Sequence, residues 1–209
     1  MFVDPKAPQR DAIQEAATWI RGGGVVAIPT DTLYGLAVNP FDAAAVARLF
    51  TAKGRPDARA LPLIAADAAQ IEAHIGPLSP TAGRLARRFW PGPLTLLLRA
   101  LVTLARSVSA GTGRVGVRVP DDHIARAVAE AVGTPITATS ANLTGDTATA
   151  DPDVVERSLG HAVDFLLDTG ATPGGSPSTI VDVTAEPPEL IRAGAISWDE
   201  VQACLRHHG

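Results

Sequence analysis

The apolar runs of this chain are all short, and that limits what it can become. Residues 25–28, 61–66, 95–98, 115–119 and 136–139 are Val-, Leu-, Ile- and Ala-rich stretches cut off by Gly, Pro or polar residues. None approaches the roughly 20 residues a membrane-spanning helix needs. Their length and composition read as buried strands. Helical spacing falls between some of them. Residues 11–21 place Ile13, Ala16, Ala17 and Ile20 on one face, and Asp42 caps a helix to about Ala52 with Val46, Leu49 and Phe50 inward. Ser79-Pro80 and Asp151-Pro152 open two more in cap-then-proline order. A further helix runs from about Asp122 to Val132, and Ser197-Trp198-Asp199-Glu200 is a capping box for the last. Further strands are predicted near 163–167, 179–183 and Leu190. Several strands lack a helix between them. The pattern therefore predicts an α/β (α+β) fold with an open, twisted, mixed sheet and flanking helices, rather than a doubly wound parallel sheet. At 209 residues, one domain over 1–209 is expected, and with aromatics at 4% its core must come from aliphatic side chains.

Gly22-Gly23-Gly24 stands after a helix and before a strand. A phosphate loop has the opposite order, so this cluster reads as a helix stop and turn. Cys204 is the only cysteine, which excludes an internal disulfide and fits a reducing compartment. Residues 1–10 carry Asp4, Lys6 and Arg10 and no apolar run, unlike a secretory signal. A cytoplasmic protein without a membrane segment is expected.

Net charge is −4, but it is unevenly spread. Between Arg48 and Arg126 there are 12 Lys/Arg against 5 Asp/Glu. Arg84, Arg87, Arg88 and Arg126 read as solvated helix faces. Lys53, Arg55, Arg59, Arg99, Arg114 and Arg118 fall at loops or strand ends, where cations can converge on an anion.

Three segments carry donor-rich chemistry. Pro29-Thr30-Asp31-Thr32-Leu33-Tyr34-Gly35-Leu36 follows a buried strand, and its hydroxyls could floor a site for a small polar ligand. A turn in which Thr30 and Asp31 satisfy local backbone is the equal alternative. Lys53-Gly54-Arg55-Pro56-Asp57-Ala58-Arg59 places three cations in seven residues, which suits a triphosphate; a solvated basic loop is the plainer reading. Ser140-Ala141-Asn142-Leu143-Thr144-Gly145 offers hydroxyl and amide groups for phosphate, ribose or a metal-bound water, or an Asx-type turn. Ser178 before one strand and Arg192 after another add to the set. The stretch 171–178, rich in Pro, Gly and Ser, reads as a mobile flap. The five histidines show no metal-ligand spacing, and neither G-x-S-x-G nor GxxxxGK[ST] occurs. Such a site positions reactants and stabilises charge, while the substrates bring the nucleophile.

In this order and spacing the segments resemble the YrdC-like family of threonylcarbamoyl-AMP synthases. The resemblance rests on PTDTLYGL at 29–36, KGRP at 53–56, ALPLI at 60–64 and WPGPLT at 90–95. It continues through VRVP at 117–120, TSANLTG at 139–145, STIVD at 178–182 and IRAGAI at 191–196. It implies an open α/β fold around a positively charged cavity. The implied reaction joins L-threonine, bicarbonate or CO2, and ATP with Mg2+ into threonylcarbamoyl-AMP and pyrophosphate. The product serves threonylcarbamoylation of adenosine 37 in tRNA, through downstream transferase machinery. By similarity, Thr32, Arg118 and Ser178, with backbone at Ala138, would contact threonine. Lys53, Arg55, Arg59, Ser140, Asn142 and Arg192, with backbone near Arg114 and Ala148, would hold ATP. Of these, Lys53, Arg55, Ser140 and Asn142 form the implied catalytic set, and Ser140 and Asn142 are the candidate metal contacts. The threonine amine would attack CO2 or bicarbonate and the carbamate would attack the α-phosphorus. Lys53, Arg55, Arg59 and Mg2+ would meet the charge on pyrophosphate.

Three departures from the family pattern stand out. Ala66 occupies a position where some members have a histidine near threonine. Pro177 stands where many have an acidic residue. Longer members add a second domain over the site, so closure here would fall to 171–178. Two other readings stay open: an RNA-binding module using the basic concavity, with Tyr34 and Trp90 the nearby aromatics, and a carbamoyl-adenylating domain that takes carbamoyl phosphate. A direct tRNA contact and a general base are left open by sequence.

Overall fold

In the computed structural model, residues 1–4, 9–54 and 59–206 are described, so Arg55 lies outside the described residues. The chain opens with α1 (Arg10–Arg21), which buries Ala12, Ile13, Ala16, Ala17 and Ile20 as its spacing predicts. The glycine cluster ends it: the Gly22 amide donates to Thr18 O at 3.0 Å and the Gly24 amide to Trp19 O at 2.8 Å. Strand β1 (Val26–Ile28) follows, then β2 (Gly35–Ala37) and α2 (Ala43–Ala52), whose Asp42 cap accepts from the Ala44 and Ala45 amides. Next come β3 (Leu63–Ile64), α3 (Ala68–His74), α4 (Pro80–Phe89), β4 (Leu94–Arg99) and β5 (Arg114–Arg118). They are followed by α5 (His123–Val132), β6 (Ile136–Thr137), β7 (Thr139–Ser140), α6 (Pro152–Leu159) and β8 (Phe165–Leu166). The chain closes with β9 (Thr179–Asp182), β10 (Glu189–Arg192) and α7 (Trp198–Arg206). At α7 the Ser197 hydroxyl and amide both donate to Glu200, so the capping box forms.

The fold is mixed α/β, but the strands make two sheets where one was expected. The smaller runs β7-β2-β1-β8 and the larger β10-β9-β4-β5-β3-β6. Both mix parallel and antiparallel pairs: β1 is antiparallel to β2 and parallel to β8, while β4 is antiparallel to β5 and parallel to β9. The division is made at Ala138. The run 136–139 reads as one strand, yet Ile136 and Thr137 pair with β3, while Thr139 and Ser140 pair with β2. The Thr137 amide reaches Val38 O at 3.1 Å and the Ala138 amide Pro62 O at 2.9 Å. A strand that changes partner in this way turns a corner between two sheets.

One strand, one α-helix and a short 3-10 turn at Arg106–Ser109 were missed in the sequence. Gly35–Ala37 folds back on β1 in the register Val26↔Ala37 and Ile28↔Gly35. The signal was Leu36-Ala37-Val38 after the glycine, hidden by the polar residues before it. Helix α3 is capped by Asp67, which accepts from the Gln70 amide at 2.7 Å. Helices α1 and α5 pack together, as do α4 and α7. The core is aliphatic: Leu36, Leu49, Leu63, Leu85, Leu94 and Leu96 are fully buried. No helix among the described residues is long and apolar enough to cross a membrane.

Candidate active site

The corner at Ala138 places the PTDT turn of the small sheet opposite the β4, β5, β9 and β10 ends of the large one. Between them lies a cavity of about 300 Å³ whose lining includes Thr32, Arg118, Ala138, Ser140, Ser178 and Arg192. Six residues singled out in the sequence, five of them from five separated motifs and Ala138 beside one, thus meet at one place. A second cavity of about 780 Å³, lined by Arg84, Arg87, Trp90 and Arg126 among others, is larger. Size does not decide between them. The smaller one collects the hydroxyls of Thr32, Ser140 and Ser178 and the cations Arg118 and Arg192, while Asn142 lies outside its lining and donates its side-chain amide to the Leu143 and Asp146 carbonyls.

On the large-sheet side the groups are tied to one another. Ser178 Oγ lies 2.9 Å from Thr95 Oγ1, and Arg192 donates through Nη2 to Ser178 O at 2.6 Å and to Ser178 Oγ at 3.1 Å. Burial, and then the neighbouring Arg118, pulls the Arg192 guanidinium below its ordinary value. Arg118 ends β5 and is gripped by Asp31: Nη1 donates to Oδ2 at 3.0 Å and Nη2 stands 2.9 Å from Oδ1. Oδ1 is buried and makes no aligned hydrogen bond, so its contact is an ion pair.

On the small-sheet side the hydroxyls divide. Thr30 donates to Leu33 O at 2.7 Å and accepts from the Thr32 amide at 3.2 Å, the local turn that was one of the two readings of this motif. Tyr34 is fully buried, donates to Gly170 O at 2.8 Å and accepts from the Thr169 amide at 3.0 Å. It has no face to offer a nucleobase. Of this turn's hydroxyls, Thr32 Oγ, 3.2 Å from Thr30 Oγ, is the one left to a ligand.

Lys53 corrects the reading of its loop as solvated. It is 3% exposed, and its ammonium donates to Ser140 O and, at 2.8 Å, to Asn142 O, with Asn142 Oδ1 at 3.5 Å. The Thr144 amide donates back to Lys53 O at 2.9 Å. Lys53 therefore binds the end of α2 to the 140–144 loop. Gly54 lets the chain make that C-cap, and among the described cations of the segment Lys53 is buried while Arg59 is exposed as expected.

The other cations separate. Arg114 begins β5, about 13 Å along the strand from Arg118 at 3.3 Å per residue. Its guanidinium pairs with Asp182, and Arg99 lies opposite it in register. Neither lines the cavity. Ala148 precedes Thr149, whose carbonyl accepts from the Tyr34 amide at 3.0 Å. Arg84 is not a solvated helix residue either: its Nε is buried without a hydrogen-bond partner, and with Arg87 and Arg126 it lines the second cavity. The helix periodicity showed which face was polar, but not that a neighbouring element covers it.

The stretch 171–178 is held at several points. Thr172 donates through Oγ1 to Thr32 O at 2.7 Å, the Gly174 amide joins it at 2.8 Å, and the Thr172 amide reaches Ala150 O. Gly174 has φ +70°, which favours glycine there. At the far end Pro177 O accepts from the Ala195 amide at 2.9 Å. A Cβ on Gly194 would come within 2.3 Å of that oxygen, so this crossing requires glycine.

Residues 18–194 match the Sua5_yciO_yrdC family, described as telomere recombination. The chain belongs to this family. A threonylcarbamoyl-AMP synthase of Pyrococcus abyssi is 38% identical over 92% of this chain and 57% of its own length. Another, of Vibrio vulnificus, is 34% identical over 87% of this chain and 98% of its own. The crystal structure of P. abyssi Sua5 complexed with L-threonine superposes with a TM-score of 0.92 at 36% identity, covering 99% of this chain and 60% of that one. The chain thus spans under two thirds of the Pyrococcus protein.

Proposed function

We propose that the chain is an L-threonylcarbamoyladenylate synthase, making threonylcarbamoyl-AMP and pyrophosphate from L-threonine, bicarbonate or CO2, and ATP. The observation that carries this is the convergence of Thr32, Arg118 and Ser178 on one cavity. A relative with this fold has been crystallised with L-threonine.

The residues divide the work as follows. Arg118 takes the threonine carboxylate with Ser178, while Thr32 takes the side-chain hydroxyl and backbone at Ala138 faces the amine. Held so, the neutral amine forms a C–N bond to CO2 and gives up a proton to solvent, or to bicarbonate with a C–O bond broken and water released, and either way a carbamate results. A carbamate oxygen then bonds to the α-phosphorus of ATP, and the bond to the β-phosphate oxygen breaks to release pyrophosphate. Arg192, Arg59 and Arg55 receive the leaving charge, and Lys53 keeps the Ser140–Asn142 loop in place for the phosphates. The Ser140 hydroxyl and Asn142 amide oxygen are hard oxygen donors of the kind Mg2+ accepts while keeping most of its waters. Such an ion would arrive with ATP. Bound there, Mg2+ would neutralise phosphate charge. The product would pass to a threonylcarbamoyl-transferring machinery that modifies tRNA in the cytoplasm.

Valine is the discriminating ligand. It replaces the threonine hydroxyl by a methyl group, and a site built to hydrogen-bond that hydroxyl should prefer threonine by on the order of 10⁴-fold in kcat/KM. Equal turnover of valine and threonine would remove Thr32 from the site.

A further inference from the structure

We propose that Asp31 is a positioning residue for substrate binding, fixing Arg118 end-on so that the guanidinium meets the substrate carboxylate along its free edge. This rests on the reading of Arg118 as the carboxylate partner. Three ion pairs are seen among the described residues, and only in this one are both side chains mostly covered, at 10% and 15% exposure. Exposed pairs contribute little and rearrange easily, whereas a covered pair persists. Both outer nitrogens of Arg118 face Asp31, at 2.9 and 3.0 Å. A guanidinium carries five N–H donors in one plane. The Nη1–Oδ2 bond occupies one of them, the Nη2–Oδ1 contact is an ion pair without an aligned N–H, and the Nε edge is left for a second carboxylate.

The dependence is mutual. Asp31 Oδ1 is buried with no hydrogen bond, so Arg118 is its compensation. Oδ2 has one further contact, a long one of 3.4 Å from the Asp121 amide. The charge also matters. Arg118 and Arg192 both line the cavity, and Asp31 brings their sum from +2 to +1, which a single amino-acid carboxylate completes. The backbone serves the same end: Asp31 sits in the turn closed by Thr30, whose hydroxyl accepts from the Thr32 amide and donates to Leu33 O. The motif thus presents Asp31 to Arg118 and Thr32 to the ligand from adjacent positions.

The test uses Asp31→Asn and Asp31→Glu in the whole chain. In the ligand-free protein, side-chain ¹⁵N NMR should show slow rotation of the Arg118 Nη groups, lost in Asp31→Asn and regained in Asp31→Glu. In steady-state assays Asp31→Asn should raise KM for threonine on the order of 10-fold with kcat within about 3-fold, as loss of ground-state binding does. Asp31→Glu should recover part of it. An unchanged or lowered KM for threonine, whatever the melting temperature, would overturn the proposal. So would free Arg118 rotation in the native protein. If the native protein showed no saturation by threonine, the activity reading would fail, and the rotation measurement would still decide the pair.

Discussion

Replacing Lys53 with methionine keeps the aliphatic stem and removes the ammonium. In the native protein that group donates to the Ser140 and Asn142 carbonyls from a residue that is 3% exposed. Hydrogen bonds from a charged donor are worth about 1.5–3 kcal/mol each, and carbonyls left without a donor cost about 1–3 kcal/mol. Against this stands the desolvation of a buried ammonium, which the substitution relieves. Breaking a buried ion pair from one side costs about 3–5 kcal/mol. Here the partners are dipoles, so the net loss should be about 2–4 kcal/mol. For a chain of this size 1 kcal/mol moves Tm by about 2–4 °C, so a fall of about 4–16 °C is expected. Urea unfolding should show a lower midpoint at an unchanged slope. Arg157→Ala, at an exposed helix position, should stay within about 0.5 kcal/mol. A Lys53→Met protein as stable as that control would refute the assignment of Lys53 to holding the loop.

Three further outcomes follow from other contacts. Burial works to raise the Asp182 carboxyl, but the Thr184 hydroxyl and amide and the Arg114 guanidinium outweigh it and hold it below the ordinary range. Its stabilisation is therefore present at neutral pH and lost as pH falls through the lowered value. Asp182→Asn should be less stable than the native protein at pH 7, with a gap that shrinks below about pH 4; a constant gap down to pH 2 would contradict this. In hydrogen exchange of the ligand-free protein, the Thr172 and Gly174 amides should be slower than those of Gly175 and Ser176, because the first two are bonded. Thr172→Val removes the hydroxyl bond to Thr32 O and should speed exchange at Gly174; no change there would mean that this bond does not hold the segment.

Much of the fold was legible where one residue type dictates one geometry. Gly22 to Gly24, the Asp42 and Asp151 caps and the Ser197–Glu200 box all did what local chemistry predicts. Partner choice was not legible. Nothing in Ile136-Thr137-Ala138-Thr139 announces that the strand changes sheets midway, because either partner accepts the same alternating side chains. Site residues separated on the same principle. Thr32, Arg118, Ser178 and Arg192 were found as donors at strand ends, and those ends converge. Lys53 was read as solvated because its partners are backbone carbonyls, which no sequence pattern displays. Asp31 was visible only as a possible turn former. Its role depends on Arg118, 87 positions away.

The central claim is that this chain couples threonine to ATP through a carbamate. The direct measurement is pyrophosphate release by the purified protein with ATP, Mg2+, bicarbonate and L-threonine, with mass spectrometry of the nucleotide product. The account predicts pyrophosphate only when threonine and bicarbonate are both present, in step with a product whose mass is that of AMP joined to N-carboxythreonine less one water. Pyrophosphate release that is independent of threonine, or threonine-dependent release without that adduct, would contradict it.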